Sequence, residues 1–301
     1  MKLLIIGSVA MDSVKTPFGK NPNALGGSAS YAAVSASYFT SAKIISVIGG
    51  DFPARHIKIF KNKHIDTSGI EVLKNKRTFK WSGEYGWDMN SVNTISTHLN
   101  VLADFNPMLS GDDKKCRFIF LANNDPDIQL DVIKQVSSSN NFIAADTIEY
   151  WIKNKKKKLL RVLKQTDIFI INEKEARLLT SEANLIKAAK RIIAWGAKKV
   201  IIKKGEHGLL YMTKNRLFLC PAYPQETVYD PTGAGDTFAG AFLGYLASLK
   251  RVNERAYIKA LIYGTIMASY NVEGFGLDKL LKIDKSLIQK RYREFTRSVR
   301  F

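Results

Sequence analysis

The stretch Asp230-Pro-Thr-Gly-Ala-Gly-Asp-Thr-Phe-Ala-Gly-Ala-Phe (230–242) decides how the rest of this chain is interpreted. Its first half is a turn of small residues, and beyond Asp236 the apolar residues recur at helical spacing. The sequence therefore predicts a glycine-rich turn that opens an amphipathic helix, and unpaired N–H groups at such a helix start attract anions. We interpret Asp236 as a general base that takes a proton from a hydroxyl. The amides of Gly233, Ala234 and Gly235 would meanwhile hold a transferring phosphoryl group.

The alternative for Asp236 is an ordinary helix N-cap, a position that Asp favours. A bare Gly-x-Gly-Asp favours that plainer interpretation, but the run here is longer, D-P-T-G-A-G-D. It resembles the second signature of the ribokinase-like (PfkB) sugar and nucleoside kinases, D-T-x-G-A-G-D, and departs from it only at Pro231. The resemblance implies an ATP-dependent kinase with Asp236 as its base and Thr232 on the nucleotide side.

Two features near the N-terminus predict an acceptor site. A predicted strand over 2–9 ends shortly before Asp12, and ligands gather at the carboxyl ends of strands in open α/β sheets. Asp12 is thus placed to accept hydrogen bonds from a polyol, with a turn Asp as the plainer alternative. The glycines of Gly26-Gly27-Ser28 let a ligand approach the backbone. This motif resembles the first signature of the same family, so the resemblance implies that Asp12, Gly26, Gly27 and Ser28 hold the acceptor.

Tyr31 departs from the first signature, because many family members have Asn there and that Asn helps to line the substrate pocket. A Tyr at this place either stacks on a ring or fills space. The resemblance implies a small sugar as the acceptor, with a nucleoside of the adenosine type as the alternative. The nucleoside alternative is favoured by aromatic residues in the predicted lid: Phe79, Trp81, Tyr85 and Trp87. A non-catalytic binding protein of the same fold is a third possibility, against which an intact Asp236 argues.

The stretch 76–100 differs in residue pattern from the sequence around it. Aromatic and polar residues alternate from Thr78 to Trp87, and 92–99 is rich in Thr and Ser. Because period-two alternation predicts strands with one open face, we predict a small sheet from 13–19 and 76–100 that projects from the core. The resemblance implies that this sheet is a lid that covers the sugar and excludes water. The alternative is that these segments are edge strands of the main sheet.

Strands and helices alternate from Arg117 onwards. The predicted segments are strands at 118–121, 141–145 and 167–171 and helices at 127–136 and 149–165. Repeated β–α units predict a doubly wound sheet. Together with the resemblance, this pattern predicts an α/β, ribokinase-like fold. It would be one kinase domain over 1–301, with a doubly wound, mostly parallel sheet flanked by helices and a small β-sheet lid.

Metal binding is predicted at two places. Asn172 and Glu175 lie three residues apart at a predicted helix start, so both side chains can face one point, and hard oxygen ligands suit Mg²⁺. The family has an N-x-x-E motif here, which implies a role in the metal–phosphate network. The alternative is a capping box, and both can be true. For Asp230 the resemblance offers two roles, support of the loop or a site for a monovalent cation such as K⁺.

The nucleotide side is assigned by resemblance alone. A predicted strand ends at Lys203 and is followed by Gly205-Glu-His-Gly208, where the family shows G-x-x-G. The resemblance therefore implies that Lys203, Gly205 and Gly208 contact ATP, although a solvated lysine is the commoner case. It also places Asn271, at the end of a predicted helix over 252–272, on the wall of the adenine pocket.

Composition limits the remaining function classes. The 301 residues are 46% hydrophobic and 24% charged, as in a globular protein with a sizeable core. The net charge of +19 is high, but the lysines are spread along the chain without any zinc or helix-turn-helix spacing, so we expect no specific nucleic-acid partner. Without an apolar run of about 18 residues, we expect no membrane partner. Cys116 and Cys220 are too few for a disulfide framework, which predicts a cytoplasmic protein. The resemblance leaves a homodimer open.

Overall fold

The computed structural model describes residues 2–136 and 140–299. The chain forms two compact units: unit 1 consists of Met1–Phe105 with Tyr223–Phe301, and unit 2 of Asn106–Ala222. Elements are numbered here in chain order. Whether 1–301 behaves as a single domain stays a prediction.

Unit 1 contains seven of the strands that the structure describes and six of its α-helices. Its strands are β1 Leu3–Ile6, β2 Ala10–Thr16, β3 Gly19–Gly26, β4 Ala42–Gly49, β5 Asp66–Leu73, β6 Lys80–Tyr85 and β7 Val92–His98. Its helices are α1 Ser28–Ala36, α2 Ala54–Asn62, α9 Ala234–Ser248, α10 Glu254–Asn271, α11 Asp278–Lys282 and α12 Lys285–Ser298, with a 3₁₀ turn at Asn100–Asp104.

Unit 2 has the alternating order that the sequence predicts. Its strands are β8 Phe118–Leu121, β9 Phe142–Asp146, β10 Ile168–Asn172, β11 Lys199–Lys203, β12 Leu209–Thr213 and β13 Leu217–Cys220. Its helices are α3 Gly111–Lys114, α4 Pro126–Val136, α5 Glu149–Asn154, α6 Lys156–Leu163, α7 Glu173–Thr180 and α8 Leu185–Ala194, with a 3₁₀ turn at Gly205–His207.

Parallel pairing dominates the strands that helices flank. In unit 1, β1 pairs with β4 and β4 with β5, both in parallel. In unit 2, β8, β9, β10 and β11 pair in parallel in that order, and β12 and β13 add an antiparallel edge. Strand β1 of unit 1 and strand β8 of unit 2 are each buried along their whole length, which explains their continuous apolar sequences. The predicted α/β class is confirmed.

The small sheet of unit 1 is separate, with the strand order β3-β2-β6-β7. This confirms a small sheet from the two predicted regions, and the edge-strand alternative is wrong. The first region is longer than the predicted 13–19, because β2 and β3 form a hairpin over Ala10–Gly26. The sequence of β3 is rich in Gly, Asn and Pro, which are typical of turns, so the residue pattern does not predict this strand. Pro22 is tolerated because β3 lies at a sheet edge, where a missing N–H breaks no ladder.

One predicted helix is divided in the structure. The helix predicted over 149–165 breaks at Lys155, whose φ of −133° and ψ of 31° are not helical. The Lys155 Nζ reaches Asp125 at 2.6 Å and Asp127 at 2.8 Å, so a tertiary ion pair accompanies the break between α5 and α6. The local apolar spacing does not report such a contact.

The helices α1 and α9 carry the two glycine motifs and pack closely in unit 1. A Cβ on Gly240 would lie 2.1 Å from the carbonyl oxygen of Ala32, so only glycine permits this approach. Ser35 Oγ donates to the Thr237 carbonyl at 2.7 Å. These contacts hold α1 against the first half of α9.

Candidate active site

Asp12 lies on β2 directly against the first glycine motif. Its side chain is 5% exposed and its Oδ2 accepts a hydrogen bond from the Gly27 amide at 3.3 Å. A Cβ on Gly26 would lie 1.9 Å from the same oxygen, so Gly26 is needed for Asp12 to occupy this place. The structure therefore brings Asp12, Gly26 and Gly27 together, as the sequence predicts for an acceptor site.

Ser28 has a structural partner that the sequence did not reveal. Its amide donates to Ser8 Oγ at 3.1 Å, the Ser8 amide donates to Ser28 Oγ at 3.3 Å, and the two hydroxyl oxygens are 3.2 Å apart. Both residues are buried. This reciprocal pair joins the end of β1 to the start of α1, and the predicted contact between Ser28 and the acceptor stays a prediction.

Asp230 holds the loop before α9 in shape. The side chain is fully buried, its Oδ1 accepts from the Thr232 amide at 2.9 Å, and its Oδ2 accepts from the Gly276 amide at 2.9 Å. Burial raises the pKa of Asp230, although these N–H donors oppose the rise. Both carboxylate oxygens are thus used by backbone donors, which fits the loop-support alternative.

The glycine-rich turn forms the start of α9. Gly233 is the N-cap with a left-handed φ of 73° and gives no side-chain cap, a conformation that glycine adopts without penalty. The Ala234 amide donates to the Pro231 carbonyl at 3.1 Å and so closes the turn. Across residues 2–136 and 140–299, no protein acceptor engages the amides of Gly233 or Gly235. These two amides and the helix start fit a phosphoryl group.

Asp236 is the third residue of α9 and not its N-cap. The N-cap alternative is therefore wrong for this residue, because Gly233 occupies that position. Asp236 is partly exposed at the edge of the turn, while the next residue, Thr237, is fully buried. A carboxylate in the first turn is stabilised by the positive end of the helix dipole. A general base needs this ionised form.

The Asn271 side chain at the end of α10 bridges the glycine-rich turn and the first turn of α9. It is fully buried, its Nδ2 donates to the Thr232 carbonyl at 2.8 Å, and its Oδ1 accepts from the Thr237 hydroxyl at 3.0 Å. Both ends of the amide thus position the loop, and its predicted contact with the nucleotide stays a prediction. Thr232 itself is half-buried, and its hydroxyl donates to Tyr85 Oη on β6 at 3.3 Å.

Three carboxyl groups influence one another in this site. Burial raises the pKa of Asp12 to about 7, and the charges of Asp230 and Asp236 add to the rise, while the Gly27 amide opposes it. Burial likewise raises the pKa of Tyr85 to about 12, so its hydroxyl stays protonated at neutral pH. The site thus presents carboxyl groups to a hydroxyl-bearing acceptor and amides to an anion.

The predicted metal pair lies in unit 2, at the junction of β10 and α7. Asn172 Oδ1 accepts from the Glu175 amide at 2.8 Å, and the Asn172 amide donates to Glu175 Oε2 at 3.0 Å. The capping-box alternative is confirmed. Within the part of the chain that the structure describes, no three His, Cys, Asp or Glu side chains cluster as a metal cage.

The predicted Gly-x-x-Gly turn follows β11 in unit 2. Gly205 begins the 3₁₀ turn, the Gly208 amide donates to the Gly205 carbonyl at 3.1 Å, and the Lys204 amide donates to the Gly208 carbonyl at 2.7 Å. Lys203 ends the strand and is half-buried. Their contact with ATP stays a prediction.

The sequence did not predict three partner groups that shape the site. The Gly276 amide, the Pro231 carbonyl and the Ser8 hydroxyl all shape it. The only local signal for Gly276 was the Gly274-Phe-Gly276 turn after α10. Among the helices that the structure describes, none combines the length and apolar character needed to span a bilayer.

Comparison with known proteins gives the same family as the sequence motifs. The model of the pfkB family carbohydrate kinases matches residues 5–283. A cytidine kinase from Thermococcus kodakarensis is 31% identical over 256 residues, which cover 81% of this chain and 88% of that protein.

Two solved structures share the fold. A Burkholderia thailandensis nucleoside kinase in complex with inosine matches with a TM-score of 0.82 and 18% identity over 97% of both chains. An E. coli protein described as a ribokinase II, solved with ATP and Mg²⁺, matches with a TM-score of 0.78 and 22% identity, covering 97% of this chain and 99% of its own. The chain belongs to the pfkB family of carbohydrate kinases and is the ATP-dependent phosphotransferase, acting on an alcohol group, that its sequence predicts.

Proposed function

We propose that this kinase phosphorylates a hydroxyl of a nucleoside. One observation carries the proposal. The buried Asp12 carboxyl, Asp236 in the first turn of α9, and the Gly233 and Gly235 amides that bind no protein acceptor lie together in unit 1. The choice of a nucleoside over a free sugar is supported by the cytidine kinase that is 31% identical over 81% of the chain. In sequence, ribokinases and deoxyribokinases match over shorter stretches, such as 115 residues or 36% of this chain for a deoxyribokinase.

The chemistry follows from the positions of these groups. Asp236 accepts the proton of the acceptor hydroxyl as its oxygen attacks the γ-phosphorus of ATP. The new O–P bond forms while the bond to the β-phosphate bridging oxygen breaks, and ADP leaves. The Gly233 and Gly235 amides donate to the oxygens on which negative charge develops. Asp12 holds the acceptor through a neighbouring hydroxyl, so most of the catalytic effect is positioning and charge stabilisation.

For Mg²⁺ we propose the Asn172–Glu175 pair, acting through water. An amide oxygen and a carboxylate are the hard donors that this ion prefers, and Mg²⁺ usually keeps several waters. The capping box fits such a role because it fixes both side chains. Bound Mg²⁺ would neutralise charge on the phosphate oxygens. For Asp230 we propose loop support, since both of its oxygens accept backbone N–H groups.

The small sheet is proposed to cover the acceptor. Asp12 lies on β2 of this sheet, and Tyr85 on β6 contacts Thr232 in the loop before α9. The sheet thus lies beside both halves of the unit 1 site, which is the place from which a lid excludes water.

A cytoplasmic location is proposed as well, since Cys116 and Cys220 are buried free thiols.

The proposal is tested by product analysis with ATP and Mg²⁺. Cytidine, adenosine, inosine, ribose and fructose are offered separately, and the phosphorylated product is identified. We expect a nucleoside monophosphate, with kcat/KM for the best nucleoside at least about tenfold above that for either sugar, a difference of about 1.4 kcal/mol. A sugar phosphate as the main product would contradict the nucleoside assignment. Binding of nucleoside and ATP without any transfer would instead favour the non-catalytic alternative.

A further inference from the structure

Tyr31 lies directly beneath the glycine-rich turn. Its side chain comes from the first turn of α1 and is only 2% exposed. A Cβ on Gly233 would lie 2.4 Å from Cγ and from Cδ1 of the Tyr31 ring. The Gly233 backbone therefore rests on the face of this ring, and two conditions select glycine at 233: the left-handed φ of 73° and the absence of room for a side chain.

The hydroxyl end of Tyr31 lies near Gly276, whose backbone holds the loop before α9. A Cβ on Gly276 would lie 3.8 Å from the Tyr31 hydroxyl, and it is the Gly276 amide that donates to Asp230 Oδ2. The ring thus spans the space between the turn at Gly233 and the backbone that holds Asp230. Burial raises the pKa of Tyr31 well above its usual value, with Asp12 and Asp230 adding to the rise, so the side chain stays neutral.

These contacts decide between the two roles that the sequence left open for Tyr31. A ring that is covered by backbone and 2% exposed has no face on which a nucleobase can stack. Packed interiors are dense, so a shorter side chain at 31 leaves a void under Gly233 into which the turn can move. A displacement of about 1 Å of a positioning group can lower the rate about 10²-fold.

We propose that Tyr31 is a positioning residue for phosphoryl transfer, whose ring fixes the Gly233 end of the anion-binding turn. The inference rests on the proposed function, because it assigns a support to the amides that hold the phosphoryl group. It differs from an acceptor-lining role in what it predicts. A support of the turn acts on kcat, whereas a residue that lines the acceptor pocket acts first on the acceptor KM.

The first experiment compares Tyr31→Phe and Tyr31→Leu with a matched control, Phe60→Leu, in which another fully buried ring of unit 1 is lost. We expect Tyr31→Leu to lower kcat at least about tenfold with both KM values within about threefold. Tyr31→Phe keeps the ring and should retain kcat within about threefold. Phe60→Leu should lose thermal stability but keep the kcat of the folded protein.

The second experiment is a double-mutant cycle on kcat with Gly233→Ala and Tyr31→Ala. The new Cβ collides with the ring only when the ring is present, so the double variant should be at least about fivefold more active than independent effects predict. If the kcat loss of the double variant equals the product of the two single losses to within about twofold, the two residues act independently. That result would contradict a functional contact between Tyr31 and Gly233.

The outcomes separate the inference from the function on which it rests. An active wild type with unchanged kcat in Tyr31→Leu, or with a raised acceptor KM alone, overturns the inference and leaves the proposed function standing. A wild type that transfers phosphate to no nucleoside or sugar refutes the proposed function and the inference with it.

Discussion

The Thr232 hydroxyl donates a hydrogen bond to Tyr85 Oη at 3.3 Å, although the two residues are 147 positions apart in the chain. Thr232 lies in the loop that opens α9, and Tyr85 is the last residue of β6 in the small sheet. A strand of the proposed lid therefore touches the loop whose amides are proposed to hold the phosphoryl group.

Tyr85→Phe should weaken acceptor binding, because it removes this bond and leaves the ring in place. A hydrogen bond of this kind contributes about 0.5–1.5 kcal/mol, so we expect the acceptor KM to rise about two- to tenfold. Tyr150→Phe, at an exposed tyrosine of unit 2, is the control and should change nothing. Steady-state kinetics with the identified acceptor decide, and an unchanged KM in Tyr85→Phe would separate the small sheet from acceptor binding.

Trp87 should report closure of the small sheet. It follows β6, is 83% exposed, and meets Phe18 of the β2–β3 turn edge-on, with 6.3 Å between the ring centres. Saturating acceptor should therefore shift tryptophan emission and slow proteolysis near 86–91. Trp87→Phe should lose most of the emission change, whereas Trp195→Phe in unit 2 should keep it. If neither emission nor proteolysis responds in the wild type, the lid assignment is wrong.

Asp236→Asn should abolish most turnover and spare nucleotide binding. The variant keeps the shape of the side chain but cannot take a proton, so we expect kcat to fall about 10²–10⁴-fold. The affinity for an ATP analogue should persist because the anion-binding donors are backbone amides. The matched control is Asp284→Asn, since Asp284 caps α12 by accepting from the Leu287 amide at 2.8 Å, a role that Asn fills equally well. Near-normal turnover in a folded Asp236→Asn protein would rule out this residue as the base.

Glu175→Gln should weaken the response to Mg²⁺ without unfolding α7. The Gln carbonyl can still accept from the Asn172 amide, so the capping box survives while the charge is lost. We expect the Mg²⁺ concentration for half-maximal activity to rise severalfold, by analogy with the weakening seen when outer-shell groups are removed. Asp113→Asn alters the capping box of α3 in the same way and serves as the control. Equal Mg²⁺ titrations for wild type and Glu175→Gln would remove Glu175 from the metal network.

Asp12 should make stability and acceptor binding depend on pH. Its pKa is raised by burial from 3.8 to about 7, so the neutral carboxyl is favoured in the folded state. This contribution to stability is complete below pH 3.8 and is lost as pH rises through about 7. Relative to Asp12→Asn, ligand-free wild type should lose thermal stability as the pH rises from 3.8 to about 7. The ionised form accepts acceptor hydroxyls, so the wild-type acceptor KM should fall as the pH rises through about 7 and stay flat in Asp12→Asn. Parallel stability curves for the two proteins would show that Asp12 titrates normally.

The sequence determined those parts of the site that neighbouring residues build. The turn and helix at 230–242 follow from glycines, a first-turn Asp and an apolar period, all of which act within a few residues of one another. The capping box at Asn172 and Glu175 is equally local. The alternation of strands and helices in unit 2 could be read because burial on both faces requires continuous apolar strands. Together with four motifs in family order, these patterns predicted the fold and the class of reaction.

Only the tertiary structure decided which groups those motifs contact. It placed the Tyr31 ring under Gly233 and brought the Gly276 amide to Asp230 Oδ2. It also extended the hairpin of the small sheet and broke a predicted helix at Lys155. Each of these outcomes depends on which distant segments pack together, and a local pattern of residues carries no information about a partner far away in the chain. Propensity and spacing set the backbone of the site, while close packing and hydrogen bonding between remote residues set the positions of its side chains.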